Sequence, residues 1–248
     1  MVKDQGKGAT DISAANTTRW IGIGLLGVPI YGVLTFWTSL DPQPDPGTQL
    51  KAWARFVTTN EYLLEHLFGS LLGMILVIFG TFALGAYLAR SRAGGIGLWA
   101  MVLTVLGNLL YLTIGGVSAL AVPEEGQAVL SGLEEYEELP DIPADTALIA
   151  IYGLAFLLLF VGNVLLGVAI WRSGTLPKWA GAIWGASAVF VYLLSAVWFL
   201  ISGAQSTPPT VLLGMVLLVI SGAWIAWSVL SRPSAEAAGV AATQPRVR

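Results

Sequence analysis

An all-α bundle of six membrane-spanning helices is the fold class this sequence predicts, and three observations predict it. Hydrophobic residues make up 56% of the 248-residue chain and charged residues only 11%. That leaves too little polar surface to keep a domain of this size in water. Uncharged stretches of membrane-crossing length recur along the chain. Lipid cannot hydrogen-bond a backbone, so each must cross as a helix of roughly 20 residues. The third observation is that the basic residues fall almost entirely between alternate pairs of these stretches.

Residues 1–17 are small, polar and aperiodic and predict a disordered cytoplasmic tail, followed by a six-helix membrane domain over 18–231. The first helix spans about residues 20–40. Lys3 and Lys7 precede it as in a secretory signal, but its length and the lack of an Ala-x-Ala site mark it as retained. Asp41-Pro-Gln-Pro-Asp-Pro46 then bars any helix. Leu50, Trp53, Phe56 and Val57 follow on one face of a short helix expected to lie on the membrane surface. Thr58 and Glu61 have the spacing of a capping box for the second span, about 63–89.

The third span covers about 95–121. Residues 124–145 follow, with eight carboxylates and no basic residue, and with Val129, Leu130, Leu133 and Tyr136 at helical spacing. A solvated acidic helix over the bundle is the plain reading, and a lid or partner site the functional one. The fourth span is about 147–171. An uncharged run from 179 to 231 is too long for one crossing, and the turn-forming cluster Ser202-Gly-Ala-Gln-Ser-Thr-Pro-Pro209 divides it into spans of about 179–201 and 210–230. Residues 232–248 predict a second disordered cytoplasmic tail.

With the N-terminus inside, ten of the 12 basic residues are cytoplasmic and only Lys51 and Arg55 are outside. The positive-inside rule therefore predicts both termini in the cytoplasm and a multi-pass protein of the cell membrane. Trp20, Trp99, Trp171, Trp179 and Trp227 then fall at the inner interface, and Trp37 and Trp198 at the outer, where amphipathic rings belong.

Gly80-Thr-Phe-Ala-Leu-Gly-Ala-Tyr-Leu-Ala-Arg-Ser91 matches Gly162-Asn-Val-Leu-Leu-Gly-Val-Ala-Ile-Trp-Arg-Ser173 at both glycines, the preceding Leu and the Arg-Ser pair. Helices two and three are thus expected to duplicate helices four and five as a parallel repeat of two hairpins. Gly167-Val-Ala-Ile-Trp-Arg-Ser-Gly-Thr-Leu-Pro-Lys-Trp-Ala-Gly181 resembles the signature of a group of uncharacterised multi-pass bacterial membrane proteins. The resemblance centres on this hairpin. It implies a helical bundle and supplies no activity, cofactor or catalytic residue.

Polar residues within membrane helices mark either packing seams or function. Thr104, Asn108, Tyr111, Gly115 and Ser118 share one face of the third span, and Gly181, Gly185, Ala188, Tyr192, Ser195 and Ser202 one face of the fifth. The second carries His66, Ser70, Gly73 and Gly80, and the fourth Tyr152, Asn163 and Gly167. Gly69-x-x-x-Gly73 and Gly181-x-x-x-Gly185 read as helix contacts. The depths of His66, Tyr111, Thr113, Ser118, Tyr152, Tyr192, Ser195 and Trp198 place them in the outer half, where aromatic walls with a few polar groups would make a ligand pocket. The candidate binding residues are His66, Ser70, Asn108, Tyr111, Tyr152, Asn163, Tyr192, Ser195 and Trp198.

His66 is the only histidine. Imidazole near neutrality offers a proton acceptor, a ligand anchor or a metal ligand, with Glu65 as the metal candidate beside it and Glu61 one turn away. The plain alternative bonds it to a loop carbonyl. A single histidine excludes haem held by two histidines of one chain, and Lys51 and Lys178 lie outside the spans, which excludes a retinal Schiff base. The absence of cysteine excludes disulfides and thiolate sites. No phosphate-binding, dinucleotide, nucleophile-elbow or zinc-protease motif is present, and no basic patch offers a nucleic-acid site.

Three readings remain open. The first is a non-enzymatic bundle that binds an apolar or lipid-like molecule in an outward-facing pocket or supports another membrane subunit. The second is a small-molecule transporter using the Asn108 and Asn163 seam, and the third a haem or metal oxidoreductase centred on His66.

Overall fold

The computed structural model describes residues 16–40, 43–132, 143–202 and 207–231, with the backbone alone for 143–148. The tail readings for 1–15 and 232–248 lie outside these residues, although helix already begins at Asn16. Among the described residues the chain is helical throughout, as α1 (Asn16–Thr38), α2 (Pro46–Val57), α3 (Asn60–Leu88), α4 (Gly94–Leu120), α5 (Val122–Leu130), α6 (Pro143–Arg172), α7 (Lys178–Ser202) and α8 (Pro209–Leu230). All but α2 belong to the six segments long and apolar enough to cross a membrane, α4 and α5 together within one of them, Gly94–Leu130.

The starts and stops have local causes. Pro46, Pro209 and Pro177 stand at or just before helix starts, where a missing N–H costs nothing. Asp45 caps α2 through Oδ1, which accepts from the Gly47 amide at 2.8 Å. At the start of α3 the capping residue is Thr59, not Thr58: Thr59 Oγ1 accepts from the Tyr62 amide at 3.1 Å. The Thr58 hydroxyl turns back and donates to the carbonyls of Ala54 and Arg55, because Thr58 ends α2 and its side chain is used there. Within α1 the ladder breaks at Leu26, three residues before Pro29, which has no N–H to give to the carbonyl of Leu25.

Short turns after α3 and α6 force antiparallel neighbours. The two turns are built alike. Ser91 Oγ accepts from the Ala93 amide at 3.2 Å, and Ser173 Oγ from the amides of Thr175 and Leu176 at 3.2 and 3.1 Å. Each span packs on the next in chain order, α1 on α3, α3 on α4, α4 on α6, α6 on α7 and α7 on α8, and α8 closes the ring against α1.

The ring is packed unequally along its length. Toward the end that carries Arg90, Arg92, Arg172 and Lys178, the interior is filled by Leu25, Leu84, Leu88, Leu166, Ile170, Trp184 and Ile225. Small residues let the backbones touch there: a Cβ on Gly181 would sit 2.6 Å from the Gly167 carbonyl oxygen, so α6 and α7 meet backbone to backbone. At the opposite end, Trp53, Ala54, Val57 and Tyr62 form a small separate core in which α2 and α5 pack against each other over the start of α3. Between this cap and the filled half lies a cavity. The outer surface of the ring is apolar, with Ile30, Phe79, Leu106, Leu157 and Ile220 exposed, as a lipid-facing surface requires.

Candidate ligand pocket

The cavity has a volume of about 490 Å³, within the roughly 300–1,000 Å³ usual for small-molecule sites. All six spans line it. Two of them reach it through wider, π-helical stretches, His66–Leu72 in α3 and Val189–Leu193 in α7. A π-turn inserts a residue into the helical register and changes which side chains face inward. The first stretch brings His66, Gly69 and Ser70 to the cavity, the second Val191 and Tyr192.

One wall is aromatic. Tyr111 meets Tyr152 edge to face, ring centroids 5.5 Å apart, with 3.4 Å between hydroxyl oxygens. Phe156 stacks on Tyr152 at 5.4 Å and stands edge-on to Tyr192 at 5.6 Å. Tyr31, from α1, also lines the cavity. Such contacts hold the rings in fixed orientations, so the wall is formed before any ligand arrives.

The polar side is made by Thr35, Thr38, Ser39, Glu65, His66, Ser70 and Ser195. His66 Nδ1 lies 2.9 Å from the Tyr62 carbonyl oxygen. A carbonyl only accepts, so Nδ1 carries the proton and Nε2 of the neutral ring is left as an acceptor. The bond runs to the residue's own helix rather than to a loop carbonyl, and the Tyr62 and His66 rings lie 4.0 Å apart. Ser195 Oγ is 3.1 Å from the Phe190 carbonyl oxygen and 2.8 Å from Thr210 Oγ1. It therefore donates to the carbonyl and accepts from Thr210, tying α7 to α8 beside the cavity. Thr35 Oγ1 is buried with no hydrogen-bond partner among the described residues.

Six of the nine residues singled out from the sequence line the cavity: His66, Ser70, Tyr111, Tyr152, Tyr192 and Ser195. Trp198 does not, and is 40% exposed on the outside of α7. Asn108 and Asn163 are buried and also stand apart from the lining. Asn108 Nδ2 donates to the Thr104 carbonyl at 2.9 Å. Asn163 Oδ1 accepts from the Trp184 indole N–H at 3.0 Å, while its Nδ2 donates to the Leu159 carbonyl at 2.8 Å. Ser118 contributes its carbonyl, which accepts from the Tyr62 hydroxyl at 3.0 Å and pins α4 to α3.

Sequence reasoning passed over α1 and α8. Tyr31, Thr35 and Thr38 repeat the four-then-three spacing that marked α4, and that signal was available; Val211 and Met215 of α8 offer nothing polar to notice. Among the described residues no group of three or more His, Cys, Asp or Glu is placed to hold a metal ion. The metal candidates His66 and Glu65 both line the cavity, Glu65 as a buried side chain. Comparison with protein-family models, with curated proteins and with solved structures finds no match to this chain.

Proposed function

We propose that this chain is a protein of the bacterial cell membrane, with both termini cytoplasmic, that binds an apolar or lipid-like small molecule in a pocket opening outward. The observation that carries the reading is the asymmetry of the ring: a close-packed half at the basic end, and at the other a cavity framed by all six spans with a preformed aromatic wall. Packing alone does not require such a void, since membrane bundles gain most of their stability from close contact. The orientation is supported by Arg19, Arg90, Arg92, Arg172 and Lys178, the described basic residues at the close-packed end.

The α3–α4 and α6–α7 hairpins are read as a parallel repeat. In each, the first matched glycine, Gly80 or Gly162, packs on the preceding span (Val28 of α1, Thr104 of α4), and the second, Gly85 or Gly167, on the following one. The serine-capped turns are further support. The likeness of residues 167–181 to uncharacterised multi-pass bacterial membrane proteins agrees with this architecture and adds no activity.

Native mass spectrometry of protein gently extracted from its own membrane tests the pocket. Wild type carries a discrete adduct that is lost in Ser70→Trp, which fills the cavity, and weakened in His66→Ala. Wild type without an adduct, or an unchanged adduct in Ser70→Trp, refutes the site. Transport is a second reading, favoured by the two π-helical stretches at the cavity, since such stretches are places where helices change register. It predicts ligand flux across proteoliposomes that Ser70→Trp abolishes, whereas simple binding gives none.

A further inference from the structure

The charges around the cavity restrict what it accepts. Its described lining contains one carboxylate, Glu65, and no lysine or arginine. Glu65 is 5% exposed, where a charge is costly and acts strongly on whatever lies beside it. Next to it, His66 has Nδ1 engaged with the Tyr62 carbonyl, which leaves Nε2 an acceptor for an N–H or O–H. Thr35 Oγ1, also at the cavity, is buried with no partner among the described residues. Among the described residues of the lining no lysine or arginine offers a positive charge to an acid.

The aromatic wall has the complementary property. Tyr31, Tyr111, Tyr152, Phe156 and Tyr192 line the cavity, and the negative face of an aromatic ring attracts an organic cation, most of all where water is excluded. The same sign of charge extends beyond the cavity. Among the described residues of the segments at this end of the bundle, Asp45, Glu61, Glu124 and Glu125 stand against Lys51 and Arg55. A mouth of one sign leading to a low-dielectric cavity concentrates ligands of the opposite sign.

We infer that the occupant is an organic ammonium ion on an apolar or aromatic body, its charge beside Glu65 and its body against the tyrosine and phenylalanine wall. The inference rests on the pocket reading above and deepens it. The same chemistry is offered by a free hydrophobic amine and by the ethanolamine headgroup of a lipid. Carboxylates, phosphates and sulfonates that carry no ammonium group of their own are excluded by sign.

A matched set of three probes tests this on the purified full-length chain in micelles of an uncharged maltoside detergent, with empty micelles as the control. The probes are phenyltrimethylammonium, its neutral isostere tert-butylbenzene, and benzenesulfonate, followed by saturation-transfer NMR. The expected order is cation first, with benzenesulfonate at least about tenfold weaker. Glu65→Gln lowers the cation's affinity about tenfold, ~1.4 kcal/mol, and leaves tert-butylbenzene unchanged; that unchanged binding also shows the variant is folded. Should Glu65→Gln not fold, Glu65→Asp, which keeps the charge, retains the preference for the cation over benzenesulfonate.

Displacement of the cation by phosphatidylethanolamine and not by phosphatidylglycerol assigns the ligand to a lipid headgroup, and its absence assigns it to a free amine. Benzenesulfonate binding as tightly as the cation, or a cation affinity indifferent to Glu65→Gln, overturns the inference and leaves the pocket standing. Saturable tert-butylbenzene binding without the cation does the same. No saturable binding by any of the three overturns the pocket reading with it.

Discussion

Replacing Asn163 by Leu removes one acceptor from the most enclosed aromatic side chain of the bundle. Trp184 is 1% exposed and donates its indole N–H to Asn163 Oδ1 at 3.0 Å. Leu nearly preserves the volume, so little cavity term arises, and the chief effect is an N–H left without a partner in an apolar interior. An orphaned buried donor costs about 1–3 kcal/mol in soluble proteins. In membrane bundles interhelical bonds average ~0.6 and reach ~1.7 kcal/mol, and full burial argues for the upper part of that range. The bond from Asn163 Nδ2 to the Leu159 carbonyl is lost as well, but that carbonyl retains its place in the helix ladder, so the added cost is small. The expected loss is therefore ~1–1.5 kcal/mol. A double-mutant cycle with Trp184→Phe, which deletes the donor, should return a coupling of about 1 kcal/mol. Unfolding followed by helical circular dichroism in mixed detergent measures it. Strict additivity, or an Asn163→Leu chain as stable as wild type, would refute the assignment of Asn163 to this bond. Ligand binding in the cavity should be unchanged, because Asn163 does not line it.

Gly181→Ala is expected to be less stable than Gly185→Ala by about 1–3 kcal/mol of overpacking. A Cβ on Gly181 meets the α6 backbone at 2.6 Å while one on Gly185 meets nothing within 4 Å, and both gain the same helix propensity. Equal stabilities by the same unfolding assay would show that the α6–α7 backbones do not touch. Orientation is read with single cysteines, which need no background removal because the natural chain has none. Ser131→Cys should react with a membrane-impermeant maleimide on intact cells and Thr175→Cys only after permeabilisation. The reverse pattern would place the pocket on the cytoplasmic side.

The six crossings are legible in the sequence because their cause is one-dimensional: about 20 uncharged residues either occur in a row or do not. What lines the pocket depends on rotation about each helix axis, and there the outcome divides. Tyr111, Tyr152, Tyr192 and Ser195 reach the cavity, whereas Asn108 and Asn163, equally polar and equally central in the chain's spans, turn to backbone and indole partners. A lone Asn in an apolar helix signals that something must be hydrogen-bonded without saying whether the partner is ligand or protein. The π-helical stretches carry no compositional mark, and they are what brings His66 and Ser70, and Val191 and Tyr192, to the same void. Thr58 and Thr59 show the same limit on a smaller scale, since either could cap α3 and the end of α2 decides between them.

The position of the void follows from where the small residues fall. Gly24, Gly27, Gly85, Gly167 and Gly181 crowd the half of the ring nearer the basic turns, and the large aliphatic side chains between them fill the interior. Toward the acidic end the interior residues change to Tyr31, Tyr111, Tyr152 and Tyr192. Rings of this size hold the helices apart, and their mutual edge contacts keep them against the wall instead of letting them collapse inward. Filling the space from within would require a bulky residue at the tyrosine level on α3, and the sequence places Ser70 and Gly69 there. Ser70→Trp supplies that missing bulk, which is why it should stabilise the bundle as it removes the site.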